Sequence, residues 1–322
     1  MEKRLQNRVA ESILTIYVCS IYGLITWIMA GLFSSHLWWQ LACFVATNYL
    51  MIEMNKSLIL LRIRSWMITS TFIMIAACCG FNYASTEAGV IGLCVAFSFF
   101  MIFLCYQTPD DVGKTYNAYL SIGIASLFFI QVIYFIPLIW LLSVYMLQSL
   151  NWRTWLTSIL GAITPYWLAL PFYLYRQDYD GIIRHFEPLR QLPETNIALS
   201  PIQTIVFVLI AALAIAGAIN FWRRSYEERI RTRQIYAFLQ WIGLAVGIFI
   251  LLQPQHYDIL IRVMIICACP FIAHFFTFTK TKVTNYLFIG IVILVILLSI
   301  VSTNTSLLEL SNQTIVNYGW GY

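Results

Sequence analysis

From Ala118 to Asn151 the chain runs for 34 residues, AYLSIGIASLFFIQVIYFIPLIWLLSVYMLQSLN, without a single Asp, Glu, Lys or Arg. A stretch this apolar belongs in a bilayer. As one straight helix it would be about 50 Å long, against a hydrocarbon thickness of roughly 30 Å. Pro137 lies near its middle, where a proline removes a backbone donor and crowds the preceding turn. The stretch therefore reads as two short helices joined near Tyr134 to Pro137, a central hairpin.

The rest of the chain has the same character. Of its 322 residues 61% are hydrophobic and only 10% charged, which excludes a soluble class and leaves no room for a separate soluble domain. Hydrophobic runs recur at about 12–33, 37–54, 66–82, 88–106, 118–133, 136–150, 154–175, 201–221, 236–252, 257–278 and 283–302. The fold class is all-α: one polytopic membrane helical bundle over 1–322, with about eleven transmembrane helices. No cleavage site follows the basic start MEKRLQNR, so the first run reads as an uncleaved helix. All eight cysteines fall in apolar segments and read as small buried hydrophobes. No metal-ligand spacing occurs, no cofactor is named, and the net charge of +5 does not call for a nucleic-acid partner.

Charge sets the orientation. Counted along eleven passes from an inner N-terminus, Lys3, Arg4, Arg8, Lys56, Arg62, Arg64, Lys114, Arg153, Arg223, Arg224, Arg229, Arg231, Arg233, Lys280 and Lys282 fall on one side. Basic residues concentrate in cytoplasmic loops. A single pass after Ala118 would instead export RRSYEERIRTR with its five arginines. The N-terminus is thus expected in the cytoplasm and the C-terminal tail, 303–322, outside. The largest outer loop is 176–200, where Ile182, Phe186 and Leu189 recur at helical spacing, so that a short helix would lie on the interface with Arg184, His185 and Glu187 facing water.

Gly113, Lys114 and Thr115 lack the upstream glycine of a phosphate loop. Lys114 reads as an inner anchor, with Asp110 and Asp111 able to cap the next helix. In the outer loop Asp178 and Asp180 form an Asp-x-Asp pair, which can hold a divalent cation or serve as acid and base. His185 is a further acid/base candidate, and Arg184 and Arg190 are candidates for lipid phosphate. A solvated loop produces the same triplet. Arg262, inside a transmembrane run, either pairs with Asp258 one turn earlier or binds an anionic headgroup. His274, deeper in that run, reads as a hydrogen-bonded structural group. Gly243 and Gly247 form a GxxxG pair, a packing face that could also receive a membrane-protein partner.

Three elements carry a resemblance: the polar inner loop at DDVGK, the Gly123, Ala125, Ser126, Leu127 run, and Asn151, Trp152, Arg153 with the pattern from Gly161 to Pro165. On these the stretch to about Leu174 resembles an uncharacterised family of polytopic membrane proteins from Bacteroidota, which implies a bacterial inner membrane and no particular activity. More distantly, the hairpin followed by an inner Arg and a Pro-bearing helix is similar to the membrane core of GT-C glycosyltransferases. That likeness implies a polyprenyl-phosphate-linked substrate handled on the outer face, in cell-envelope glycan assembly. The catalytic acid usual in that family's first external loop is missing, since GLFSSHLWW offers only His36. Two other readings stand beside it, a transporter or flippase and a non-catalytic membrane scaffold subunit.

Overall fold

The computed structural model describes residues 4–177, 179–190 and 199–318, and among them every regular element is helical. A short helix α1 (Leu5–Glu11) meets α2 (Leu14–Met29) at 89°. There follow α3 (Trp38–Leu58), α4 (Met67–Ala77), α5 (Thr86–Leu104), α6 (Val112–Phe128), α7 (Phe135–Leu142) and α8 (Trp152–Arg176). A small helix α9 (Tyr179–Phe186) precedes the long α10 (Pro201–Arg223), α11 (Ile230–Leu252), α12 (Tyr257–Phe278) and α13 (Lys282–Tyr318).

Seven helical segments among the described residues are long and apolar enough to cross a membrane, eight if the bent pair α1–α2 is one span. Those seven do not include the pieces at α3, α4 and α6, which the sequence counted as crossings; α4 has only 11 residues and α6 only 17.

The central stretch also divides differently from expectation. Its break is at Phe129, where the backbone turns extended (φ −142°, ψ 95°), and not at Tyr134 to Pro137. A 3-10 turn over Ile130–Tyr134, α7 and one π turn over Ser143–Leu147 then form one continuous span. Pro137 is the third residue of α7. In the first turn of a helix the backbone N–H has no partner to lose, so the proline is tolerated there. Over the C-terminal tail the helical backbone of α13 continues as far as Tyr318.

Nearly every residue of α12 is buried, and the other helices pack around it. A helix apolar on all sides needs a neighbour on all sides. The peripheral helices present large apolar side chains outward, Trp167, Leu168 and Tyr175 on α8 and Val208, Ile215 and Ile219 on α10 among them. Such a surface is stable against lipid and not against water.

Contacts sort the loops into two ends. At one end Asn7 donates to the Thr277 carbonyl (3.0 Å), Ser65 to that of Ala10, and Arg231 to that of Phe103 (3.1 Å), while the Gln107 amide donates to the Leu147 carbonyl (3.0 Å). At the other end Gln40 donates to Thr86 Oγ1 (2.8 Å), Tyr134 to the Leu189 carbonyl (2.8 Å), Tyr257 to that of Gln203 (2.9 Å), and the Phe81 amide to Ser302 Oγ (3.2 Å). The first set is the arginine-rich one.

The arginine-rich end also shows what Gly113-Lys114-Thr115 does. Asp111 caps α6, its Oδ1 accepting from the Lys114 backbone N–H (3.1 Å), while its other oxygen pairs with Lys114 Nζ. The Lys114 ammonium holds the Asp111 carboxyl below its ordinary 3.8. A depressed carboxylate contributes stability that is complete above its ordinary value and lost as pH falls through the lower folded one. Asp111→Ala should cost about 1 kcal/mol near neutral pH, the usual worth of such a cap, and less once pH drops well below 3.8; thermal unfolding in detergent at both pH values checks this.

Candidate functional site

α6 and α8 make the closest helix contact described, because Gly123 and Gly161 face each other's backbones. A Cβ at Gly123 would stand 2.5 Å from the Ala162 carbonyl oxygen, and one at Gly161 2.7 Å from that of Tyr116. This approach brings Tyr166 of α8 onto Ser126 of α6: Tyr166 donates to Ser126 Oγ (2.7 Å), which donates on to the Gly123 carbonyl (2.7 Å). The outer segment rests on the platform so made. His185 of α9 hydrogen-bonds the Ser126 backbone, Tyr166 packs on Phe186 (5.7 Å between ring centres), and Tyr134 holds Leu189.

Between α8 and α9 lies an apolar groove of about 380 Å³, lined by Leu127, Ile163, Tyr166, Leu170, Phe172 and His185 among others. The sequence reading faced His185 to water. The structure turns it inward, half-buried, with Nε2 buried and without a hydrogen-bond partner. The reason is Ser126, whose backbone captures the other ring nitrogen. Burial pushes the His185 pKa below its ordinary 6.5, so the ring is neutral at neutral pH, and its Nε2 is a buried acceptor without a partner among the described residues.

Around this histidine Arg184 lies exposed, with Nε donating to the Asp180 carbonyl (3.3 Å), and Asp180, Glu187 and Arg190 are exposed too. Asp178 lies outside the described residues. His185, Arg184, Asp180 and Arg190 thus lie on one short segment, at the end of the bundle away from the arginine-rich loops.

Arg262 is elsewhere. It lines a separate cavity between α3, α4, α5 and α12 of about 20 Å³, with Tyr83, Cys79 and Phe44, and shares no lining residue with the groove. That volume admits roughly one water and no phosphate. Arg262 donates to the Asn82 carbonyl (2.7 Å), and Asn82 in turn donates to the Asp258 carbonyl, so Arg262 and Asp258 are joined through Asn82. Gly92 leaves the space into which the Arg262 stem packs, 3.7 Å from a would-be Cβ.

A third polar group was not anticipated from the sequence. At the arginine-rich end Arg62 pairs with Glu227 (2.5 Å) and lies 3.7 Å from Glu228, whose Oε1 meets His274 Nε2 at 3.2 Å. Glu228 and His274 are both buried. Phe221, Tyr236 and Phe278 wall the imidazole, and Arg62 sits over the Phe278 ring at 4.4 Å. The loop that delivers Arg62 begins at Ile59, a β-branched residue in the left-handed region (φ 53°), a conformation that costs roughly 1–3 kcal/mol. Its carbonyl accepts from Thr232 and that of Leu60 from Tyr236, which hold the turn. His274 is a hydrogen-bonded structural group, as read. Its partner, 46 residues away, could not be found by spacing; the only signal was two acids set among five arginines.

With its long apolar helices and lipid-suited surface, the chain is an integral membrane protein of the all-helical class. No protein-family model, no curated protein and no solved structure matches it.

Proposed function

We propose that this is a multi-pass protein of a bacterial inner membrane that holds a lipid-linked, polyprenyl-phosphate substrate at its outer face, in the assembly of a cell-envelope glycan. The observation that carries this reading is the groove between α8 and α9: apolar along its length, with His185 in its wall, whose buried Nε2 has no partner among the described residues, and Arg184 and Arg190 on the same segment. An isoprenoid chain fits such a groove, and two guanidiniums suit a phosphate. In this reading His185 accepts a proton from a substrate hydroxyl. Asp180 is the remaining acid on the segment, and Arg262 serves the packing of α12. Eleven crossings with the N-terminus cytoplasmic and the C-terminus outside are part of the proposal, supported by the gathering of basic loops at one end of the bundle.

The test is mass spectrometry of lipid copurified with wild type, His185→Ala, the double variant Arg184→Ala/Arg190→Ala, and Arg262→Met. A polyprenyl phosphate should accompany wild type and Arg262→Met, and fall at least tenfold in the double arginine variant. Equal amounts in all four proteins, or none with wild type, would remove the groove from consideration.

A further inference from the structure

The largest cavity described lies between α10 and α11, which both pack on α12 but stand apart from each other. The gap is a groove of about 960 Å³. Small residues hollow its walls, Ala214 and Ala218 on α10 and Gly243 and Gly247 on α11, and a Cβ at Gly247 would meet nothing within 4 Å. From Phe207 to Arg223 the groove follows α10 for about 24 Å, most of the hydrocarbon thickness.

One charged residue lines it, Arg223, at the arginine-rich end. Arg223 is exposed and has no ion pair among the described residues. Nearby acids are committed elsewhere: Glu227 to Arg62, and Glu228 to Arg62 and His274. Beside Arg223 the Trp222 indole, bonded to Gln240 across the groove, stands at the level where tryptophan suits a headgroup region.

An apolar slot that ends in an exposed guanidinium without an ion pair is complementary to an amphiphile with an anionic head. A packed helix would cover the slot and leave the cation unanswered. We propose that this groove binds an anionic phospholipid of the leaflet on the arginine-rich side, with its phosphate on Arg223 and its chains between α10 and α11. The pattern recurs at a second groove of about 580 Å³ between α2, α4 and α13, where Arg8 is the charged residue. The proposal is independent of the polyprenyl-phosphate reading, since it concerns the other end and other helices.

Nanodiscs of phosphatidylcholine containing graded phosphatidylglycerol, with native mass spectrometry of the released protein, test it. Wild type should retain phosphatidylglycerol over phosphatidylcholine. Arg223→Gln should bind it about fivefold more weakly, the effect of one arginine near an anionic surface. Gly247→Leu, which enters open space, should fold normally and lose lipid of both kinds from this groove. Equal phosphatidylglycerol in all three proteins would overturn the site. So would a wild-type dimer that Gly247→Leu turns into a monomer with lipid retention unchanged, since a second copy would then be the occupant.

Discussion

Replacing Glu228 by Ala is expected to destabilise the bundle by about 2–3 kcal/mol, read from chemical unfolding in detergent. Glu228 is the only hydrogen-bond partner that the buried His274 has among the described residues, because Nδ1 of that ring has none. Its loss leaves the whole imidazole unsatisfied in a wall of aromatic rings, where a lone buried polar group costs roughly 1–3 kcal/mol. Removing one member of a fully buried ion pair costs about 3–5 kcal/mol, but Arg62 is 38% exposed and keeps Glu227, so its share is smaller. Glu228→Gln, which preserves an acceptor for His274 Nε2, should lose less than half as much. The double variant Glu228→Ala/His274→Leu should be more stable than Glu228→Ala alone, because the orphaned ring goes with its partner. An unchanged unfolding midpoint for Glu228→Ala would mean that the network contributes nothing to stability.

Gly161→Ala is expected to cost about 1–3 kcal/mol and to release the lipid proposed for the groove between α8 and α9. The added methyl would sit 2.7 Å from the Tyr116 carbonyl oxygen and 3.1 Å from the Leu120 nitrogen. Both are backbone atoms of a helix, so neither can rotate away, and α6 and α8 must separate; overpacking of this kind carries that penalty. The separation pulls Tyr166 from Ser126, and Ser126 is what holds His185. Gly123→Ala should act the same way, and since the two glycines share one contact the double variant should fall short of their sum. Gly247→Ala is the control. It meets open space and gains helix propensity, so it should be neutral or slightly stabilising. Thermal unfolding and lipid retention, measured on the same preparations, separate these cases; an unaltered Gly161→Ala would show that the helices pack less closely than described.

Particular residues show where legibility in the sequence began and ended. The capping role of Asp111 was readable because cap and helix are adjacent in sequence, and the same holds for α9, whose apolar residues recur within one turn. The break at Phe129 was not readable: Pro137 drew attention, yet a proline in a first turn breaks nothing. His185 was found as a residue and misread in orientation, since the Ser126 backbone that turns it lies 59 residues earlier on α6. Arg262 was recognised as unusual from its place in an apolar run. Its partner Asn82, 180 residues distant in the turn between α4 and α5, was invisible.

What the sequence determined by itself is the solvent of this protein and the side on which its charges gather, because both follow from composition summed over short runs: an uncharged helix belongs in hydrocarbon wherever its neighbours lie, and a basic loop carries its charge regardless of packing. What only the tertiary structure decided is which polar groups meet. The Glu228–His274 pair, the Asn82 bridge and the contact of His185 with Ser126 each join residues far apart in the chain. The first two draw their energies from burial, and the third rests on the backbone approach at Gly123 and Gly161, quantities that exist only once the helices are packed.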